Sequence, residues 1–111
     1  MEVSQLLLEL AQPPGVSGWE ALALEKMRTY LEPLGTCQVS PLGSLYCFVK
    51  EVPGKPHVML NAHVDGIGMV VSYIDEKGFL RVGNCGGLDR STVLAAQVIV
   101  YTPEGELPGV V

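Results

Sequence analysis

The chain has 111 residues, 48% of them hydrophobic and 17% charged, and carries a net charge of −5. This is the length of one small domain with enough apolar residues for a core, which argues against a disordered tail. The seven Lys and Arg form no basic stripe, which argues against nucleic-acid binding. No apolar run reaches the ~18–20 residues that a membrane span needs.

The N-terminus, "MEVSQLLLELAQ", lacks a basic start, and Glu9 interrupts its apolar stretch, so no signal peptide is expected. Ser4 is expected to cap a first helix, "QLLLELAQ", which "PPG" ends. Ser17 and Glu20 have the spacing of a capping box. The helix that follows should run from about Trp19 to Leu34, with Leu24, Met27, Leu31 and Leu34 as its apolar stripe.

β-type sequence comes next. "TCQVSPLGSLYCFVKE" predicts two short strands around a turn at Pro41–Gly43. "HVMLNAHV" is a continuous apolar run of strand length, which suits a strand covered on both faces. "MVVSYIDEKGFLRVGN" predicts a hairpin turning at Asp75–Gly78. "CGGLDRST" reads as a loop, "QVIVY" as a strand, "TPEGE" as a turn and "LPGVV" as the start of another strand. Turns this frequent point to a small antiparallel barrel or sandwich. The chain thus has two textures, α/β up to about residue 68 and all-β from Met69 onward. Its end, "ELPGVV", leaves β-branched residues uncovered, so the native sequence is expected to continue.

Three cysteines, Cys37, Cys47 and Cys85, are an odd number with wide spacing. Reduced thiols in a cytoplasmic protein are expected, with neither a disulfide framework nor a zinc knuckle. Ser17 in "GVSGWE" only loosely resembles a nucleophile motif and reads better as a helix cap. Cys85 has no obvious base nearby in sequence and reads as a buried thiol.

His63 and Asp65 lie two apart at the end of an apolar run, so on a strand they share a face. Beyond a strand's carboxyl end, such a pair makes half a metal site, with His63 as ligand and Asp65 orienting it or touching a second metal. The same pair is also an ordinary hydrogen-bonded strand end. His57 cannot join from the same strand, because six residues span ~20 Å.

The order of segments carries more than any one of them. "GVSGWE", "PLGSL", "VMLNAHVDGIGMVV", "GFLRVGNCGGLD" and "PGVV" follow one another through nearly the whole chain. This series resembles the N-terminal portion of the tetrahedral (TET) aminopeptidases, the glutamyl-aminopeptidase-like family of cytosolic dinuclear metallopeptidases. The resemblance implies an α/β fold: residues 1–68 as the N-terminal part of a three-layer α/β metallopeptidase domain, and residues 69–111 as the start of an inserted antiparallel β-barrel-like domain used in oligomerisation. It implies His63 as a ligand to one of two divalent metal ions, zinc or cobalt, and Asp65 as the supporting catalytic-site residue. It implies peptide substrates and a homo-oligomer, while the composition leads to the expectation of no nucleic-acid and no membrane partner.

The family's remaining ligands and its general-base glutamate would lie downstream. The 111-residue chain is therefore expected to hold no metal tightly and to be catalytically silent. Three positions depart from the family pattern: Gly66 replaces a glutamate, and Ser40 and Ser44 replace an aspartate and an asparagine. The rival reading is a small non-catalytic binding or assembly protein derived from that family. An endoglucanase-type label also occurs among such relatives.

Overall fold

A computed structural model describes residues 2–111. Two helices come first, α1 (Val3–Ala11) and α2 (Ala21–Leu31). Six strands follow: β1 (Thr36–Val39), β2 (Leu45–Phe48), β3 (Gly68–Ile74), β4 (Leu80–Cys85), β5 (Gln97–Thr102) and β6 (Gly105–Val110). They form three separate two-stranded antiparallel sheets, each made of strands consecutive in sequence. All three hairpins fall where the turn residues predict them. At Asp75, Oδ1 accepts the backbone N–H groups of Lys77 and Phe79 at 3.0 and 2.9 Å, and Gly78 supplies a φ of +85°. A side chain that replaces missing ladder bonds and a glycine that tolerates positive φ together close such a turn.

Four local expectations are corrected. Ser4 lies inside α1, whose N-cap is Glu2. The Ser17–Glu20 capping box does not form: Glu20 is itself the N-cap of α2, its carboxylate accepts from Gly18 N–H at 2.6 Å, and Ser17 turns its hydroxyl to a residue far along the chain. α2 stops at Leu31, three residues before the expected Leu34, because a turn leads into Pro33–Gly35. Leu34 is consequently exposed, while Leu24, Met27 and Leu31 are half-buried.

The fourth correction is the largest. The run "HVMLNAHV" is not a strand and is not covered on either face: Val58, Met59 and Leu60 are 87, 76 and 94% exposed. A strand exists by its ladder, and no other described segment pairs with this one. Among the described residues β3–β4 and β5–β6 share no strand pairing, so residues 69–111 supply two separate hairpins.

α1 is clasped to α2 by polar groups. Glu9 accepts from Lys26 Nζ at 2.9 Å and from the Tyr30 hydroxyl. The Tyr30 bond and the Lys26 ammonium hold the Glu9 carboxyl below its ordinary value. Among the described residues Ala23 alone is buried and apolar. The radius of gyration is 17.8 Å, against about 13 Å for a compact domain of this length. The accessible surface is 9282 Å², against about 5,900 Å² for a folded monomer of this mass. These elements therefore leave most of their apolar faces open to cover.

Candidate metal centre

The site is built where the unpaired run ends. After Asp65, Gly66 forms a parallel bridge with Val16, and Gly66 N–H donates to the Gly15 carbonyl at 2.5 Å. Gly15 owes its place to "PPG", which ends α1, and Gly66 to the glycines that follow Asp65. The bridge draws the "GVSG" segment beside the His63–Asp65 segment. Gly68 is required close by: a Cβ there would collide with the Val16 side chain.

Across that bridge the Ser17 hydroxyl donates to Asp65 Oδ2. The other oxygen, Oδ1, lies 3.1 Å from His63 Nδ1, and the Asp65 carbonyl lies 3.2 Å from the same nitrogen. Ser17 first, and His63 after it, hold the Asp65 carboxyl below the usual carboxylate range against the opposing effect of desolvation. An ionised carboxylate and a carbonyl only accept, so the proton between them and the ring sits on Nδ1. In the neutral imidazole Nε2 then keeps its lone pair for a metal. A carboxylate on one ring nitrogen is the usual support of a metal-binding histidine on the other.

The line Ser17–Asp65–His63 is not a nucleophilic triad. The carboxylate lies between the hydroxyl and the imidazole, so the imidazole that serves as general base in a triad does not contact the serine. His63 and Asp65 meet in an irregular segment and not on the shared face of a strand, and the sequence reading missed Ser17, which lies 48 positions away from Asp65. No periodicity links two residues so distant. Cys85, read as a buried thiol, is half-buried, with its Sγ 3.9 Å from the Ser17 carbonyl oxygen. His57 is exposed.

His63 and Asp65 are the start of a donor set. Among the described residues no three His, Cys, Asp or Glu side chains cluster as metal ligands. The His63 side chain is 88% exposed and that of Asp65 is 33%. Four-coordinate zinc takes three or four protein ligands, so this pair fits one imidazole position and its support. A groove of about 420 Å³ runs between the start of α2 and the β1–β2 hairpin, lined by Trp19, Leu24, Arg28, Val39 and Leu45. It includes neither His63 nor Asp65, so it supplies no pocket at the pair.

An imidazole steered by a carboxylate, with the chain bridged behind it, is an arrangement found in metallohydrolases. Residues 43–111 match the M42 glutamyl aminopeptidase family, and the chain belongs to that family. It is 33% identical over 109 residues to the lysyl aminopeptidase of Pyrococcus furiosus, a match covering 96% of this chain and 31% of that protein. Its fold is similar to the TET aminopeptidase of a marine-sediment Thaumarchaeota archaeon, with a TM-score of 0.87 and 29% identity over 98% of this chain and 31% of the other. The Pyrococcus horikoshii TET1 peptidase, described as assembling into a tetrahedron or a large octahedral shell, gives the same TM-score and identity, with 98% of this chain and 32% of that one covered. The chain thus spans under a third of the length of these relatives. No described helix is long and apolar enough to cross a membrane.

Proposed function

We propose that this chain is the N-terminal portion of a metal-dependent aminopeptidase that removes N-terminal residues from peptides. The observation that carries this reading is His63 Nδ1 held by Asp65 in a chain of the M42 family. Residues 1–68 contribute to a three-layer α/β catalytic domain, and residues 69–111 begin an inserted β domain that serves oligomerisation. The assemblies described for the P. horikoshii relative support a homo-oligomer. The site works in the cytoplasm.

His63 is the ligand, through Nε2, to one of two divalent ions, zinc or cobalt. When bound, the metal supplies Lewis-acid polarisation of the peptide carbonyl and activation of water. This chain's own residues do the positioning. Asp65 keeps the proton on Nδ1 and fixes the ring, and the Ser17 hydroxyl fixes Asp65. Further ligands and the general base come from outside these residues, so the isolated 111-residue chain turns over no peptide.

The departures at Ser40 and Ser44 favour a second reading, a non-catalytic assembly module of the same family. Ser40 Oγ accepts from the backbone N–H of Ser44 at 3.1 Å, so the Ser40 side chain serves the β1–β2 turn. One substitution separates the readings. In the full-length native polypeptide, His63→Ala should remove bound metal, measured by elemental mass spectrometry, and abolish peptidase activity while the circular dichroism spectrum is kept. Unchanged metal content with a lowered melting temperature would overturn the ligand role. Turnover by the isolated chain with added zinc or cobalt would overturn its silence.

A further inference from the structure

Cys37 and Cys47 face each other across the β1–β2 hairpin. The ladder pairs Thr36 with Phe48, Cys37 with Cys47, Gln38 with Tyr46 and Val39 with Leu45. Next to the turn, Ser40 N–H donates to the Ser44 carbonyl at 2.9 Å, so that pair is hydrogen-bonded. Pair types alternate along an antiparallel ladder, which makes Cys37–Cys47 a non-hydrogen-bonded pair. In such pairs the Cα atoms are about 4.5 Å apart and the side chains lie close on one face. Disulfides span Cα separations of about 4.4–6.8 Å. Both thiols are free and half-buried. Cys47 Sγ also donates to the carbonyl of Leu31, the last residue of α2, at 3.4 Å.

We propose that Cys37 and Cys47 form a reversible intramolecular disulfide that clips the β1–β2 hairpin beside the end of α2. The oxidant is a low-molecular-weight disulfide of the glutathione class. One protein thiolate attacks a sulfur of oxidised glutathione and expels a glutathione thiolate, leaving a mixed disulfide. The facing protein thiol loses its proton and attacks the protein sulfur of that mixed disulfide, expelling the second glutathione. Two protein thiols are oxidised, and one oxidised glutathione becomes two reduced ones. Desolvation, with the neighbouring Cys47, raises the Cys37 thiol above its ordinary value, so exchange quickens toward alkaline pH. The Cα separation of this pair type lies at the short edge of the disulfide range. The bond is therefore within reach of the pair, and thiol exchange with reduced glutathione opens it again. Cys85 is outside the hairpin and takes no part.

Tryptic cleavage provides the readout, because the peptide Thr29–Lys50 holds both cysteines and Cys85 lies in another. The reduced full chain is exposed to oxidised glutathione in native buffer and in guanidinium chloride, then digested and weighed. The expected result is loss of two hydrogens within Thr29–Lys50, at least about tenfold faster in native buffer, because the folded ladder holds the sulfurs in register. Reduced glutathione should reopen the bond. Cys85→Ser should change nothing, and Cys47→Ser should leave Cys37 as a glutathione adduct. Equal rates in both solvents, a bond to Cys85, or mixed disulfides that never close would overturn the proposal.

Discussion

Residues 58–64 and residues 68–74 are both apolar runs of strand length, yet only the second is a strand. β3 meets its partner after a short turn, and the pairing closes locally from Gly68–Cys85 to Ile74–Leu80. The run before it has no antiparallel partner close in sequence, and Val58, Met59 and Leu60 stand in solvent. The difference teaches that an apolar pattern confers readiness to pair, while a ladder requires a second segment within reach. The candidate ligand sits at the end of the run without a ladder. It keeps its place through the short Val16–Gly66 bridge and the Ser17–Asp65 hydrogen bond instead.

Hydrogen exchange should break or confirm this contrast with the largest effect. Amides from Val58 to Val64 should exchange at open-chain rates, and the ladder amides of β3 and β4 at least about a hundredfold more slowly, a gap of roughly 2.7 kcal/mol in local opening. Equal rates in the isolated chain would remove the distinction.

Asp65→Asn sharpens the comparison at the end of the unpaired run. It keeps the shape and removes the charge that steers Nδ1, so metal affinity should fall about 10–100-fold by calorimetry in the full-length native polypeptide, as for other supporting carboxylates. An unchanged affinity would leave His63 ordered by other means. Gly68→Ala probes the junction between the two runs without touching a polar group. The added methyl meets Val16, so the Val16–Gly66 bridge should open at a cost of roughly 1–3 kcal/mol by denaturant unfolding. A neutral result would mean that the bridge is not what positions Asp65.

The smallest effect lies outside both runs and serves as a control. Glu9 is held below its ordinary value by Tyr30 and Lys26, so its contribution is present above its unfolded pKa and fades as pH falls through the folded one. The α1–α2 clasp should therefore loosen slightly below about pH 4.5, the ordinary glutamate value. Glu9→Gln should flatten that part of the stability profile. The pair is half-buried but still open to water on one side and screened, so the change should be small.

Much of this molecule was legible before folding because its signals are local. Pro41–Gly43, Asp75–Gly78 and the Thr102–Gly105 turn announce their hairpins within a few residues, and all three formed. Two helices were legible from apolar spacing, although their caps were misread. Ser4 and Ser17 are good cap residues by type, and the choice among caps depends on what else a hydroxyl can reach. The His63–Asp65 contact was also local, a matter of two residues on one segment.

Tertiary structure alone decided what was distant. It gave the Ser17 hydroxyl to Asp65 in place of a helix end and placed Gly66 against Gly15. It also left "HVMLNAHV" without a ladder. The physical reason is the same in each case. Turn and helix preferences are settled by torsions and neighbours within one or two turns of chain, whereas a hydrogen bond between distant segments depends on which other groups the fold brings within about 3 Å.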